Sequence, residues 1–285
     1  MHLTVLHTLW RLLVGGLVII LAYVTFFLLY PYLDNHLPFL IVLIVLYLWL
    51  AYVGIPVLVR IWRSVFKPSR LPVYATTGDG WSSDPVNIAI VCKSKNQLIK
   101  NMHKAGWSVA DKATLSSTFR TILSMILRKS YATAPFTNLY LFGRAHDIGF
   151  QIESGEQPSP RHRHHIRFWQ LQTKDSPDKY GHTTFWNKIL SIFTKRQQEI
   201  WIGAATYDSR SIAFRIQNLQ VTHQIDDETD KERDFVVNSL KNKGLIKRLE
   251  TITAGEPLEF RGQTFGVTIV TDGTLKVAEL KNKLR

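Results

Sequence analysis

Two runs without a charged side chain dominate the start of the sequence. Leu12 to Tyr30 spans 19 residues and Leu37 to Val59 spans 23. At 1.5 Å of rise per residue, each is long enough as a helix to cross a hydrocarbon layer of roughly 30 Å. Only Pro31-Tyr-Leu-Asp-Asn-His36 separates them, so the expectation is an antiparallel hairpin of two transmembrane helices joined by a turn. Tyr30, Tyr32, Tyr47, Trp49 and Trp62 add aromatic rings, several at the expected interfaces. The first run is too long for the core of a cleaved leader, and no small-x-small site precedes the second. Arg11 flanks the first run, and Arg60, Arg63, Lys67 and Arg70 follow the second, while the connecting turn has neither Lys nor Arg. The excess of basic residues on the cytoplasmic side then predicts a two-span protein of the cell membrane, with the N-terminus and the C-terminal domain both in the cytoplasm. No ionisable group lies within either run, so the hairpin reads as an anchor rather than a transport path.

The resulting organisation is a hairpin over 1–66 (spans about 12–30 and 37–59), a Pro- and Gly-marked linker over 67–80, and a folded domain over 81–285. Within that domain Val86–Cys92 reads as a buried strand. Ser94 is placed to cap a helix over Lys95–Lys104. Leu115, Phe119, Ile122, Leu123 and Ile126 make one apolar stripe on a helix from about Leu115 to Lys129. Strands are expected at 138–143, 148–153, 163–171, 199–207, 211–216 and 219–225, then a charged helix over Thr229–Lys243, then short strands near 246–252, 257–261, 264–271 and 274–279. Strands outnumber helices and few helices separate consecutive strands. The fold class is therefore α+β with a mixed, largely antiparallel sheet and packed helices.

The single Cys92 excludes a disulfide scaffold and a zinc site built of cysteines, and its place in an apolar strand makes it core rather than nucleophile. The nucleotide-binding and hydrolase signatures G-x-x-x-x-G-K-[ST], G-x-G-x-x-G and G-x-S-x-G are absent. With 35 Lys and Arg against 22 Asp and Glu, the net charge is +13. Nucleic acid is an obvious partner for such a chain, and Trp107, Phe168 and Trp169 are available for stacking. No nucleic-acid-binding motif accompanies them, and part of the charge belongs to the membrane flank, so nucleic acid is not expected.

The densest chemical signal is Arg161-His-Arg-His-His-Ile-Arg-Phe-Trp169. On a strand, His164, Ile166 and Phe168 share one face, and Arg163, His165 and Arg167 share the other. The second face is either a solvated cationic edge or an anion site in which guanidinium forks and imidazole donors hold a phosphate. In Val221-Thr-His-Gln-Ile-Asp226, His223 is either a core imidazole or a neighbour of His164 or His165 across the sheet. Gly203, Ala204 and Ala205 leave room for a close approach by backbone or ligand, and Asp208 or Asp226 is placed to orient an imidazole. The same His and Asp residues suit a metal, but no local ligand motif is present, so neither metal nor cofactor is expected. In 183–196, within an insertion over 173–198, Phe185, Trp186, Ile189, Leu190 and Phe193 cover one helical face, and Lys188, Lys195 and Arg196 flank it. Such a helix packs either on the membrane interface or on its own domain.

From about Trp81 to Gly244 the chain resembles the LssY C-terminal domain family. The resemblance rests on Asp84-Pro-Val-Asn87, Ala105-Gly-Trp107, the Pro135 region, Tyr140-Leu-Phe-Gly-Arg144, Asp147 with Phe150, Arg163 to Trp169, Trp201 to Asp208, Thr222-His-Gln-Ile-Asp226 and Glu232-Arg-Asp234. It implies a domain often joined to multispanning membrane proteins, including lipid-phosphatase-like and DedA-like ones, and implies no particular activity. This chain departs from that pattern in having a two-helix anchor without the three-part phosphatase signature, and in the insertion between Trp169 and Trp201.

The function expected is a membrane-anchored cytosolic domain that binds an anionic, phosphorylated-headgroup-like ligand at the inner leaflet. Arg144, Arg163, Arg167, His165 and Asp208 form the anion site, and Trp186, Phe185, Phe193, Lys188, Lys195 and Arg196 the membrane contact. Two alternatives stand beside it. One is a lipid or phosphoester hydrolase or transferase using His223, His164 and Asp226. The other is a scaffold for a membrane-protein partner.

Overall fold

In the computed structural model, which describes residues 16–17, 19–58, 74–155, 158–171, 198–215, 221–253, 258–261 and 268–281 (the backbone alone at 210–214, 221–223 and 258–261), the chain divides into a helical N-terminal unit and a larger sheet-bearing unit. In the first, α1 covers 19–36 and α2 Phe39–Leu58. The turn falls at Leu37-Pro38 and not over 31–36: Tyr30–His36 is helical, with Pro31 in its first turn. The residue before a proline is pushed out of the helical region, and Leu37 is extended at φ −131°, ψ 149°. Trp49 Nε1 donates to Thr25 Oγ1 at 3.1 Å, joining the two helices in antiparallel register. Each helix contains a π-helical stretch, Val24–Leu29 and Leu50–Gly54. Among the described residues one helix, Phe39–Leu58, is long and apolar enough to cross a membrane. The expected first span, 12–30, lies partly outside the described residues, so the two-span hairpin reduces here to one candidate span.

The second unit has three layers. Its centre is an eight-stranded sheet of β3 (Ile88–Cys92), β4 (Ser108–Val109), β7 (Ile148–Glu153), β8 (Arg163–Gln170), β9 (Glu199–Phe214), β10 (Val221–Ile225), β11 (Ile246–Thr253) and β14 (Thr274–Leu280). The order is β11-β14-β3-β9-β8-β7-β4, with β10 beside the far end of β9. Every pair is antiparallel except β14–β3. A four-stranded sheet of β2 (Ser82–Pro85), β1 (Tyr74–Thr76), β5 (Tyr140–Leu141) and β6 (Arg144–Ala145) lies in the same unit, and β12 (Leu258–Arg261) and β13 (Thr268–Thr271) form a hairpin. Tyr74–Thr76, expected in the linker, is thus already a strand of the folded unit. The two strands expected at 199–207 and 211–216 are one continuous strand, β9.

Among the described residues three helices pack in this unit: α3 (Lys95–Lys104), α4 (Leu115–Leu127) and α5 (Thr229–Asn242). Ser94 caps α3 by accepting from the Gln97 amide. The apolar run of β3 divides by alternation. Ile88, Ile90 and Cys92 join the core under α3 and α5 with Leu98, Met102, Val236 and Leu240, whereas Ala89 and Val91 join Leu139, Leu141, Leu275 and Val277 on the opposite face. A strand buried on both faces has to be apolar throughout. Asn87 ties these layers together: it exchanges bonds with both backbone groups of Ala205 (3.1 Å each) and donates to Thr229 O at 3.2 Å. Gly203 does not admit a ligand. A Cβ there would lie 2.6 Å from Ile88 Cγ2 and 2.7 Å from Phe168 Cε1, so the space belongs to the chain's own core.

An apolar stripe on a surface helix ordinarily faces the core. In α4 the relation is reversed: Thr121 and Ser124 are buried, while Leu115, Phe119, Ile122, Leu123, Ile126 and Leu127 are exposed.

Candidate functional site

β8 presents the two faces that its alternation predicts, each built with residues brought from far along the chain. On one face, Arg163 stands opposite Asp208, and Gln151, His165 and Thr206 line up across β7, β8 and β9. Arg163 donates to Asp208 Oδ2 at 2.9 Å and to Gln151 Oε1 at 2.8 Å. Arg167 donates to Asp84 Oδ2 at 2.7 Å. Thr206 Oγ1 bridges Asp84 Oδ2 (3.2 Å) and His165 Nε2 (2.9 Å), and His165 Nδ1 lies 3.7 Å from Asp208 Oδ2. All of these groups are buried. The loop over 134–137 covers them, accepting from Arg163 through Ala134 O and Pro135 O and from Arg167 through Thr137 O. The Phe136 ring lies 4.5 Å from the Arg167 guanidinium carbon and 5.5 Å from that of Arg163. Two arginines and two aspartates therefore balance inside the fold. An external anion would have to displace Asp84 or Asp208 from a buried pair, so this face is neither a solvated edge nor an open cationic site.

Arg144 is not part of that cluster. It sits on β6, pairs with Asp147 and donates to Gln170 O, beside the end of β8 remote from Arg163. At roughly 3.3 Å per residue, the length of β8 keeps the two apart by about 20 Å.

On the other face, His164 Nδ1 lies 2.7 Å from Glu232 Oε2 on α5. The imidazole is held between Phe235 (ring centroids 3.9 Å apart) and Tyr207 (4.7 Å). Tyr207 in turn accepts from Ser154 Oγ at 3.2 Å. His164 keeps 21% side-chain exposure, while Glu232 is 5% exposed and its Oε1 is buried without a hydrogen-bond partner among the described residues. Burial pushes the Glu232 carboxyl up; the bond to His164 pulls it down, and the charges of Asp208 and Asp226 add to the rise. The arrangement is that of a partly exposed histidine oriented by a buried carboxylate.

The structure thus brings His164 together with Glu232, and brings Asp226 near that pair. Asp226 itself accepts from the Glu228 amide at 3.0 Å, opening α5. His223 is not brought to His164. β10 and β8 flank β9 on opposite edges, and the backbone of residue 223 lies between the positions facing Arg210 and Ala213, whereas His164 faces Tyr207. That separates the two backbones by roughly 15 Å along the sheet and about 10 Å across it. The His223 side chain lies outside the described residues, as do Phe185, Trp186, Lys188, Phe193, Lys195 and Arg196. Among the described residues no group of three or more His, Cys, Asp or Glu is placed to hold a metal ion. Cys92 is buried in the core, and burial pushes its thiol up to about 12, which leaves it protonated and inert.

The residues that sequence reasoning left without a role are Asp84, Gln151, Thr206 and Glu232. Asp84 and Glu232 stand within the short pieces that carry the family resemblance, but no local spacing links them to β8. A family model described as LssY C-terminus matches residues 69–275. The chain belongs to the LssY C-terminal family. The match covers β1 and the sheet as far as the first two residues of β14, so both faces of β8 lie within the LssY C-terminal domain. No curated protein and no solved structure matches the chain.

Proposed function

We propose that this LssY C-terminal protein is a membrane-tethered domain that binds the phosphorylated headgroups of anionic lipids at the cytoplasmic face of the membrane. One observation carries the reading. Lys112, Arg120, Arg128 and Lys129 surround α4, and no ion pair among the described residues uses any of them. Arg144, Arg163 and Arg167, by contrast, are committed to carboxylates. Each basic residue near an anionic leaflet contributes about 1 kcal/mol, and the effect fades as salt shortens the screening length. Phe39–Leu58 supplies the tether. The basic residues after it (Arg60, Arg63, Lys67 and Arg70) favour a cytoplasmic domain, and a second span over 12–30 would place the N-terminus there too.

The test uses the full chain in nanodiscs containing spin-labelled phosphatidylglycerol or phosphatidylcholine. The protein is expected to restrict the anionic lipid preferentially, and the preference is expected to shrink in high salt and in the K112Q/R120Q/R128Q/K129Q variant. Equal restriction of the two lipids, or a preference that the variant leaves intact, overturns the reading.

A hydrolase or transferase reading has one observation in its favour, the partly exposed His164 held by Glu232 at 2.7 Å. In that reading His164 acts as general base and Glu232 fixes its tautomer. Turnover of a phosphoester lipid that His164→Ala abolishes while the variant stays folded is the result this reading requires.

A further inference from the structure

The structure assigns α4 a partner: we propose that its exposed apolar face is seated in the bilayer, at the boundary between headgroups and acyl chains. This deepens the reading above and rests on it for the choice of lipid. Leu115 is 92% exposed, Phe119 68% and Ile126 65%, and Ile122, Leu123 and Leu127 extend the same patch. A contiguous apolar surface of this kind on a folded unit marks an interaction site. The helix is not loosely placed. Thr114 and Ser117 form a reciprocal cap at its start, Arg161 Nε donates to Met125 O at 2.6 Å near its end, and the Arg120 guanidinium carbon sits 4.1 Å from the centre of the Tyr131 ring. Its polar side, with Thr121 and Ser124 buried, is turned inward, so the apolar side is the one presented outward.

Charge selects the occupant. Between Lys112 and Ser130 there are four basic residues and no acidic one. A second copy docked through this face would set four cations against four cations. An anionic lipid surface instead matches them, with Leu, Ile and Phe entering the acyl region and Arg and Lys at the phosphates. The same chain carries Phe39–Leu58, a helix long and apolar enough to cross that bilayer.

The experiment uses the full-length protein in vesicles of phosphatidylcholine with and without phosphatidylglycerol. Nitroxides are attached at Phe119→Cys, Ile122→Cys and Ile126→Cys, with Lys241→Cys on the exposed side of α5 as the water-facing control. Cys92 is buried and stays in place. All four positions are exposed, so labelling leaves the packing intact. The expected result is a ratio of oxygen to nickel-chelate collisions severalfold higher at 119, 122 and 126 than at 241. Ratios equal to that at 241 overturn the proposal. So does dipolar broadening at the α4 sites that grows with the protein-to-lipid ratio, since a second copy would then cover the face. The same depth in phosphatidylcholine alone supports the placement of α4 and overturns the anionic-headgroup reading instead.

Discussion

Asp84 reaches Arg167 across 83 positions of sequence, and Arg163 reaches Asp208 across 45. Pairs at such separations contribute little until the fold is complete, yet leaving one partner alone in the interior is costly. Asp84→Asn is expected to lower stability by about 3–5 kcal/mol, because Arg167 would keep a buried charge without its counterion; urea unfolding followed by tryptophan fluorescence measures it. Gly149 faces the same cluster from β7. A Cβ at that position would lie 2.2 Å from Phe136 Cζ, so Gly149→Ala has to lift the Phe136 ring off the two arginines. The cost expected of such overpacking is about 1–3 kcal/mol, read in the same unfolding assay. His146 lies beside Phe136, with ring centroids 5.7 Å apart. Burial, reinforced by the charge of Arg167, pushes its imidazole down to about 4 from an ordinary value of 6.5. The folded state therefore resists protonation in a range where the unfolded chain accepts it. The contribution is complete above pH 6.5 and is lost as pH falls toward 4. A His146→Gln variant should show a flatter melting temperature across that window; an unchanged slope would mean that another group sets the acid limit.

At the scale of elements, much was legible in the sequence because local rules govern it. The Ser94 cap, the bounds of α3 and α5 and the alternation of β3 and β8 follow from capping chemistry and side-chain period alone. The single long β9 was less legible: Asp208-Ser-Arg210 looks like a break, but β8 and β10 pair along successive stretches of the strand and carry it through. Periodicity also located α4 without revealing which way its stripe points, since an exposed and a buried apolar face have the same spacing. The candidate site was half legible. Alternation put His164 and His165 on opposite faces, but nothing near either residue names Glu232 or Thr206, because those partners are supplied by tertiary pairing. The cap of α4 gives a prediction at this scale. Thr114→Ala removes the half of the reciprocal cap in which Thr114 Oγ1 accepts from the Ser117 amide, leaves the Thr114 amide bonded to Ser117 Oγ, and should cost about 1 kcal/mol. Hydrogen exchange should speed up across the first turn of α4 and leave α5 unaffected.

For the whole molecule, the order in which parts are made matters. Phe39–Leu58 precedes the sheet, so in the proposed tethered arrangement membrane integration would come before the domain folds. Leu48→Arg, near the middle of that helix, should weaken integration by about 3 kcal/mol, or roughly two orders of magnitude, in a glycosylation-mapping assay. The sheet then closes late. β3 holds Ile88–Cys92 between β9 on one side and β14 on the other, and β14 comes from Thr274–Leu280, nearly at the end of the sequence given. Until that last strand is synthesised, a wholly apolar strand has one bare edge available to any passing chain. A ribosome paused before Thr274 would leave a nascent chain needing a holdase, and the arrival of Thr274–Leu280 on the open edge of β3, rather than formation of any helix, is the event that renders the product safe from aggregation.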